Sequence, residues 1–296
     1  MTITEFLFDP FLHSDAMKRA LAASLAVAIA GAPLGVMLII RRMALAGDVL
    51  THTLLPGVAM AFLLAGQSPV VMILGGTLSG LIAVYLSMFV SRTTILHEDT
   101  SLATFYVLSL ASGILLLSAG TNNADGEFAE ELLHILFGNA MEIDQQTLLT
   151  IASISTGSII VLALIYRLLV IESFDPVFLR SVGGRGACVH LVFMTLVVLN
   201  LIAGATTIGT MMAIGLMTVP GAAARMWTQD LGVAIACAIG IATLSSVMGL
   251  LVGYHLTLPP GPTIIMIAGV LFVLSVLFGR QNGLIQRFRH PTHLDG

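Results

Sequence analysis

Apolar runs of roughly twenty residues, the length a helix needs to cross a bilayer, follow one another along almost the whole chain. They leave few options for the fold. Hydrophobic residues make up 57% of the 296 and charged ones 9%, whereas a soluble domain carries about a quarter charged residues. Short alternating segments of the kind that build a β-barrel are absent, so helices must satisfy the backbone inside the lipid. The expectation is an all-α polytopic membrane protein, a bundle of eight or nine transmembrane helices. One transmembrane domain is expected over residues 1–279, with a cytoplasmic tail at 280–296.

Nine spans can be read: 20–40, 48–65 with a kink at Pro56, 69–90, 102–118, 148–171, 189–205, 208–226 interrupted near Pro220-Gly221, 233–253 and 263–278. If one is re-entrant the count falls to eight. Residues 1–17 are too short and too acidic to span, and suit the membrane interface. Glycines and small residues recur at four-residue spacing (Gly76/Gly80, Gly209/Ala213, Gly249/Gly253), as close helix packing requires. With nine spans, Arg41, Arg42, Arg92, Arg180, Arg185, Arg225, Arg280, Arg287 and Arg289 fall on one side, and Lys18 and Arg19 on the other. The positive-inside rule then predicts an outside N-terminus and a cytoplasmic C-terminus. The outer loop 119–147 carries Asp125, Glu127, Glu130, Glu131, His134, Glu142 and Asp144 without a Lys or Arg. It is read as a solvated acidic helix or a docking point for a metal donor.

Several functions are excluded. Lys18 is the sole lysine, and nothing around it resembles a phosphate-binding Gly-x-x-x-x-Gly-Lys-Ser/Thr loop. If ATP drives this protein, another chain hydrolyses it. His97-Glu98 lacks the second histidine of a zinc-protease helix, and there is no Gly-x-Ser-x-Gly elbow. Cys188 and Cys237 sit in apolar stretches and read as packing residues. No permanent cofactor and no nucleic-acid partner is expected.

One acid stands inside a span. Asp48 and His52 are i and i+4, on one helix face about 6 Å apart along the axis, and a carboxylate with an imidazole so placed can grip a divalent cation. Alternatively, Asp48 caps a helix start after Gly47 and His52 bonds within the bundle. His190 and His255 read as histidines satisfied in the bundle. On the arginine side, Glu172-Ser173-Phe174-Asp175-Pro176-Val177-Phe178-Leu179-Arg180 leads to Gly183. Asp175 can cap, Pro176 suits the first helical position, Phe174 can staple onto Leu179, and Gly183 can end the helix. Such a short helix either rests on lipid or inserts into a soluble partner.

In order along the chain, these pieces resemble the membrane permease family of ATP-binding-cassette importers for zinc, manganese or iron(II). They are the run Arg41-Arg42-Met43-Ala44-Leu45-Ala46-Gly47-Asp48-Val49-Leu50-Thr51-His52-Thr53-Leu54-Leu55-Pro56-Gly57 and His97-Glu98-Asp99-Thr100, then Leu136-Phe137-Gly138-Asn139 and Glu172-Ser173-Phe174-Asp175-Pro176. Leu216-Met217-Thr218-Val219-Pro220-Gly221 and Leu258-Pro259-Pro260-Gly261-Pro262 complete the series. Ser101-Leu102-Ala103-Thr104-Phe105-Tyr106 and His255 depart from the family pattern. The resemblance implies a homodimeric permease in a bacterial inner membrane, with a cytoplasmic ABC ATPase dimer beneath it and an extracytoplasmic metal-binding protein above. It implies Asp48 and His52 as metal contacts and residues 172–183 as a cytoplasmic coupling helix, with Glu172 to Arg180 as the ATPase-coupling residues. Zinc is the expected cargo, with manganese or iron next. A proton-coupled secondary metal transporter or channel is the alternative; an intramembrane enzyme lacks a nucleophile and base.

Overall fold

The computed structural model describes residues 14–66, 68–121, 143–281 and 283. Most of the acidic outer loop, the Leu136-Phe137-Gly138-Asn139 piece, the first thirteen residues and most of the tail lie outside the described residues. Within them the chain is helical: α1 (Asp15–Ile40), α2 (Ala44–Thr53), α3 (Leu55–Ala65), α4 (Pro69–Thr93), α5 (Glu98–Thr121), α6 (Gln145–Phe174), α7 (Pro176–Ser181), α8 (Gly186–Ile208), α9 (Thr210–Trp227), α10 (Leu231–Leu256) and α11 (Pro260–Phe278). Eight segments are long and apolar enough to cross a membrane, with α2 and α3 together forming one of them. The ninth expected span is the 18-residue α9, which is not among those eight. Its place explains its composition. It packs against α1, α8, α10 and α11, and a helix shielded by protein has no need of a lipid-compatible surface.

The core lies where α1, α8 and α9 meet. α1 is rich in alanine and glycine and buries most of its length. Small residues let helix backbones approach closely. A Cβ on Gly35 would overlap the Met217 carbonyl oxygen of α9, and one on Gly221 would press on the backbone of Gly35 and Val36. Gly76 and Gly80 press on Ile202 and Val198 of α8, and Gly249 on Ile264 of α11, as their spacing predicts. Gly209 does something else. It holds φ +96 and separates α8 from α9, a conformation natural only to glycine. Asn200 of α8 donates to Ser158 of α6 at 2.9 Å, a polar clamp in an apolar layer.

The expected proline effects divide. Pro56 lacks the N–H that would continue the ladder, and the helix breaks at Leu54. The Thr53 carbonyl there accepts the Ser79 hydroxyl at 2.7 Å, the side-chain compensation that a broken helix at membrane depth needs. Pro220, by contrast, sits inside an unbroken α9. The interruption expected near Pro220-Gly221 is absent, and Gly221 and Met217 are pressed against α1 there.

Candidate metal site

Helix α1 ends in a hydrogen-bonded corner. Arg42 takes a left-handed conformation at φ 59, its N–H bonds the Ile39 carbonyl, and the Met43 N–H reaches back to Leu38 at 2.8 Å. This double closure is a Schellman turn with arginine where glycine is usual. α2 begins at once at Ala44, so Asp48 stands in its second turn. The alternative of Asp48 as a helix cap is thereby removed: the helix starts four residues earlier than its sequence suggests.

The 3.6-residue period then sorts α2. Ala46, Gly47, Leu50, Thr53 and Leu54 turn inward; Gly47 lies against Ile214 of α9. Asp48 is exposed and His52 half-buried. Among the described residues the Asp48 carboxylate makes no ion pair or side-chain hydrogen bond, while its backbone carbonyl accepts the Thr51 hydroxyl at 2.7 Å. The Thr53 hydroxyl likewise turns back to Leu50. The His52 ring lies 5.1 Å from the Tyr106 ring of α5, tilted by 55°. Tyr106 is the site neighbour that sequence reasoning missed. Its signal was present, since it falls in the stretch of α5 that departs from the family pattern.

Among the described residues no group of three or more His, Cys, Asp and Glu side chains could hold a metal. Two further histidines are engaged elsewhere: His255 Nδ1 lies 2.9 Å from the Leu251 carbonyl oxygen of its own helix, and His190 Nδ1 lies 2.9 Å from Arg41.

The loop helix α7 forms as its sequence predicts. The Asp175 carboxylate accepts the Phe178 N–H at 2.8 Å, Pro176 opens the helix, and Gly183 at φ +79 ends it. The expected staple differs. Phe174 is 67% exposed, whereas Leu179 is 5% exposed and lies against Gly184 and Gly186. Leu179 anchors the helix inward, leaving Phe174, Val177 and Phe178 in the open. Outside the spans, the Thr147 side chain and backbone hold the Asp144 carboxyl below the ordinary range, consistent with its cap on α6 at 3.0 Å.

Comparison with known proteins places this arrangement. The model of the ABC 3 transport family matches residues 13–279. The manganese import system permease protein ScaB of Streptococcus parasanguinis is 29% identical over 92% of this chain and 94% of its own length. The zinc transport system membrane protein TroC of Treponema pallidum is 28% identical over 93% of each. Among solved structures, PsaBC from Streptococcus pneumoniae in complex with Fab superposes with a TM-score of 0.83 at 24% identity. It covers 98% of this chain and all of the matched one, a likeness of fold.

Proposed function

The chain belongs to the ABC 3 transport family, and from that premise we propose that it is the permease subunit of an ABC importer carrying a divalent transition metal into the cytoplasm. One observation carries the site: an exposed carboxylate without a partner among the described residues, one helical turn from an imidazole, on a broken helix of a membrane bundle. A charge at that depth is expensive unless it faces a cation, a counter-charge or a water path. Two copies related by a two-fold axis would bring two carboxylates and two imidazoles together. Four such donors suit Zn²⁺, and with added oxygens they suit Mn²⁺. Relatives named for manganese and for zinc are nearly equally similar, so the proposed cargo is either ion. Binding in the pore must be weak enough for release.

No nucleotide-binding motif lies in the chain, so the ATP is hydrolysed by a separate cytoplasmic ATPase dimer. Residues 172–180 are its docking element: Phe174, Val177 and Phe178 stand exposed on a capped, anchored helix, which a loop serving only as a connection would not require. An extracytoplasmic binding protein delivers the metal. With α9 counted as a ninth crossing, the arginine distribution puts the N-terminus outside and the C-terminus in the cytoplasm of a bacterial cell; with eight crossings Arg225 and Arg280 change sides and the two termini lie on one side. Residues 1–279 form one permease domain in this reading and 280–296 a tail. The proton-coupled alternative has nothing in its favour beyond the same two residues.

Uptake of Mn²⁺ and Zn²⁺ into vesicles containing the assembled complex tests this reading. Asp48→Ala and His52→Ala are expected to lose ATP-dependent uptake while inserting normally. Full uptake by either variant removes the site.

A further inference from the structure

Arg41, the residue that closes α1, gathers two distant parts of the chain, the end of α6 and the start of α8, onto one guanidinium. Its Nε donates to Ser173 Oγ at 2.9 Å, its Nη1 lies 2.9 Å from His190 Nδ1, and its Nη2 pairs with Glu172 Oε2. The plane sits 5.0 Å from the centre of the Phe193 ring, which is fully buried. An arginine has no acceptor, so His190 accepts on Nδ1. Ser173 in turn donates to the Leu169 carbonyl at 2.6 Å. The side chains of Arg41 and Glu172 are only 8% and 14% exposed. Burying such a pair is costly and contributes little net stability unless its remaining donors are satisfied; here the ion pair, two further polar contacts and the ring engage the guanidinium.

We propose that Arg41 is the positioning residue through which movement of α7 reaches the metal-bearing helix α2. The inference rests on the reading of α7 as the ATPase-docking element. Glu172 and Ser173 are the last turn of α6, immediately before the Asp175 cap of α7. Arg41 ties that turn to the end of α1, and the corner bonds of Arg42 and Met43 tie the end of α1 to the start of α2. Every link is short and hydrogen-bonded, and the planar guanidinium fork fixes orientation as well as distance. On the other side the packing is open: a cavity of about 350 Å³ lined by Arg92, Glu172, Pro176, Gly186 and Ala187 separates the root of α7 from the end of α4. A push on α7 therefore meets free space toward α4 and a taut connection toward Asp48.

The test measures metal uptake and ATP hydrolysis in the same vesicles, using the complete permease–ATPase complex with Mn²⁺ and, separately, Zn²⁺. Arg41→Gln is expected to lower the metal moved per ATP about tenfold, within the usual range for coupling between sites. The amount of ATPase retained on purification should stay the same, because Arg41 is buried away from the exposed face of α7. Arg41→Lys keeps the charge but loses the fork, and should fall between. Exchanging the pair, Arg41→Glu with Glu172→Arg, should restore part of the ratio. A wild-type metal-to-ATP ratio in Arg41→Gln overturns the proposal. If that variant fails to insert, Ser173→Ala decides: a lowered ratio supports the link and an unchanged one overturns it. ATP-independent uptake by the wild type, or a permease that retains no ATPase, would instead overturn the reading of α7 itself.

Discussion

Two proline-bearing helices cross the same bundle and meet opposite fates. Before Pro56 the helix breaks at Leu54, and the Thr53 carbonyl beside the break accepts the Ser79 hydroxyl of α4. Through Pro220 the helix runs on, pressed against α1 where Gly35 and Met217 touch backbone to backbone. The broken segment carries the exposed Asp48 and half-buried His52; the unbroken one has its sole ionisable side chain, Arg225, in its last turn. A missing N–H thus does not dictate a break by itself. What surrounds the proline decides whether the hydrogen-bond ladder is interrupted, and here the interruption falls in the segment proposed to handle the ion.

The comparison can be broken at several points. The largest effect is expected at the unbroken helix: Gly35→Leu drives a side chain into the Met217 carbonyl, and overpacking there should cost about 3 kcal/mol or more. Little monodisperse protein should survive extraction; normal yield and melting temperature would show that the crossing is not tight. Next, Pro56→Ala and Pro220→Ala should part company. Alanine at 220 restores a backbone N–H to a helix already unbroken, raising the melting temperature with uptake unchanged. Alanine at 56 should also stabilise, but slow uptake by closing the break. Equal behaviour of the two in vesicle uptake would end the contrast. Ser79→Ala should cost about 1–3 kcal/mol by leaving the Thr53 carbonyl unpaired, read as a lowered melting temperature.

The smallest effect lies outside the spans. Asp144 has a depressed carboxyl pKa through its hydrogen bonds to Thr147. Its contribution is therefore present above the ordinary carboxylate range and is lost as pH falls through the lowered value. Asp144→Ala should cost about 0.5 kcal/mol at neutral pH, the low end for an exposed cap, and the difference from wild type should vanish in acid. A difference that persists there would assign the loss to packing rather than to charge.

Periodicity carried much of this into view. The spans, the shared face of Asp48 and His52, and the capped loop helix from Asp175 to Gly183 were legible because each depends on residues within a turn or two of one another. Other features were not. The true start of α2 depends on the Arg42 corner, and Leu179 turns toward Gly184 rather than Phe174 because the return of the chain into α8 offers a closer surface. Tyr106 comes beside His52 only when α5 packs on α2.

By itself, then, the order of residues determined the class: apolar length forces helices on a chain that must satisfy its own backbone in lipid, and the four-residue spacing of Asp48 and His52 puts one acid and one imidazole on one helix face. Tertiary structure alone decided that the helix runs unbroken through Pro220. It also decided that Arg41 meets Ser173 and His190, 132 and 149 residues away. The reason is range. Helical pattern is a property of neighbours in sequence, whereas a buried charge finds its partners wherever packing delivers them.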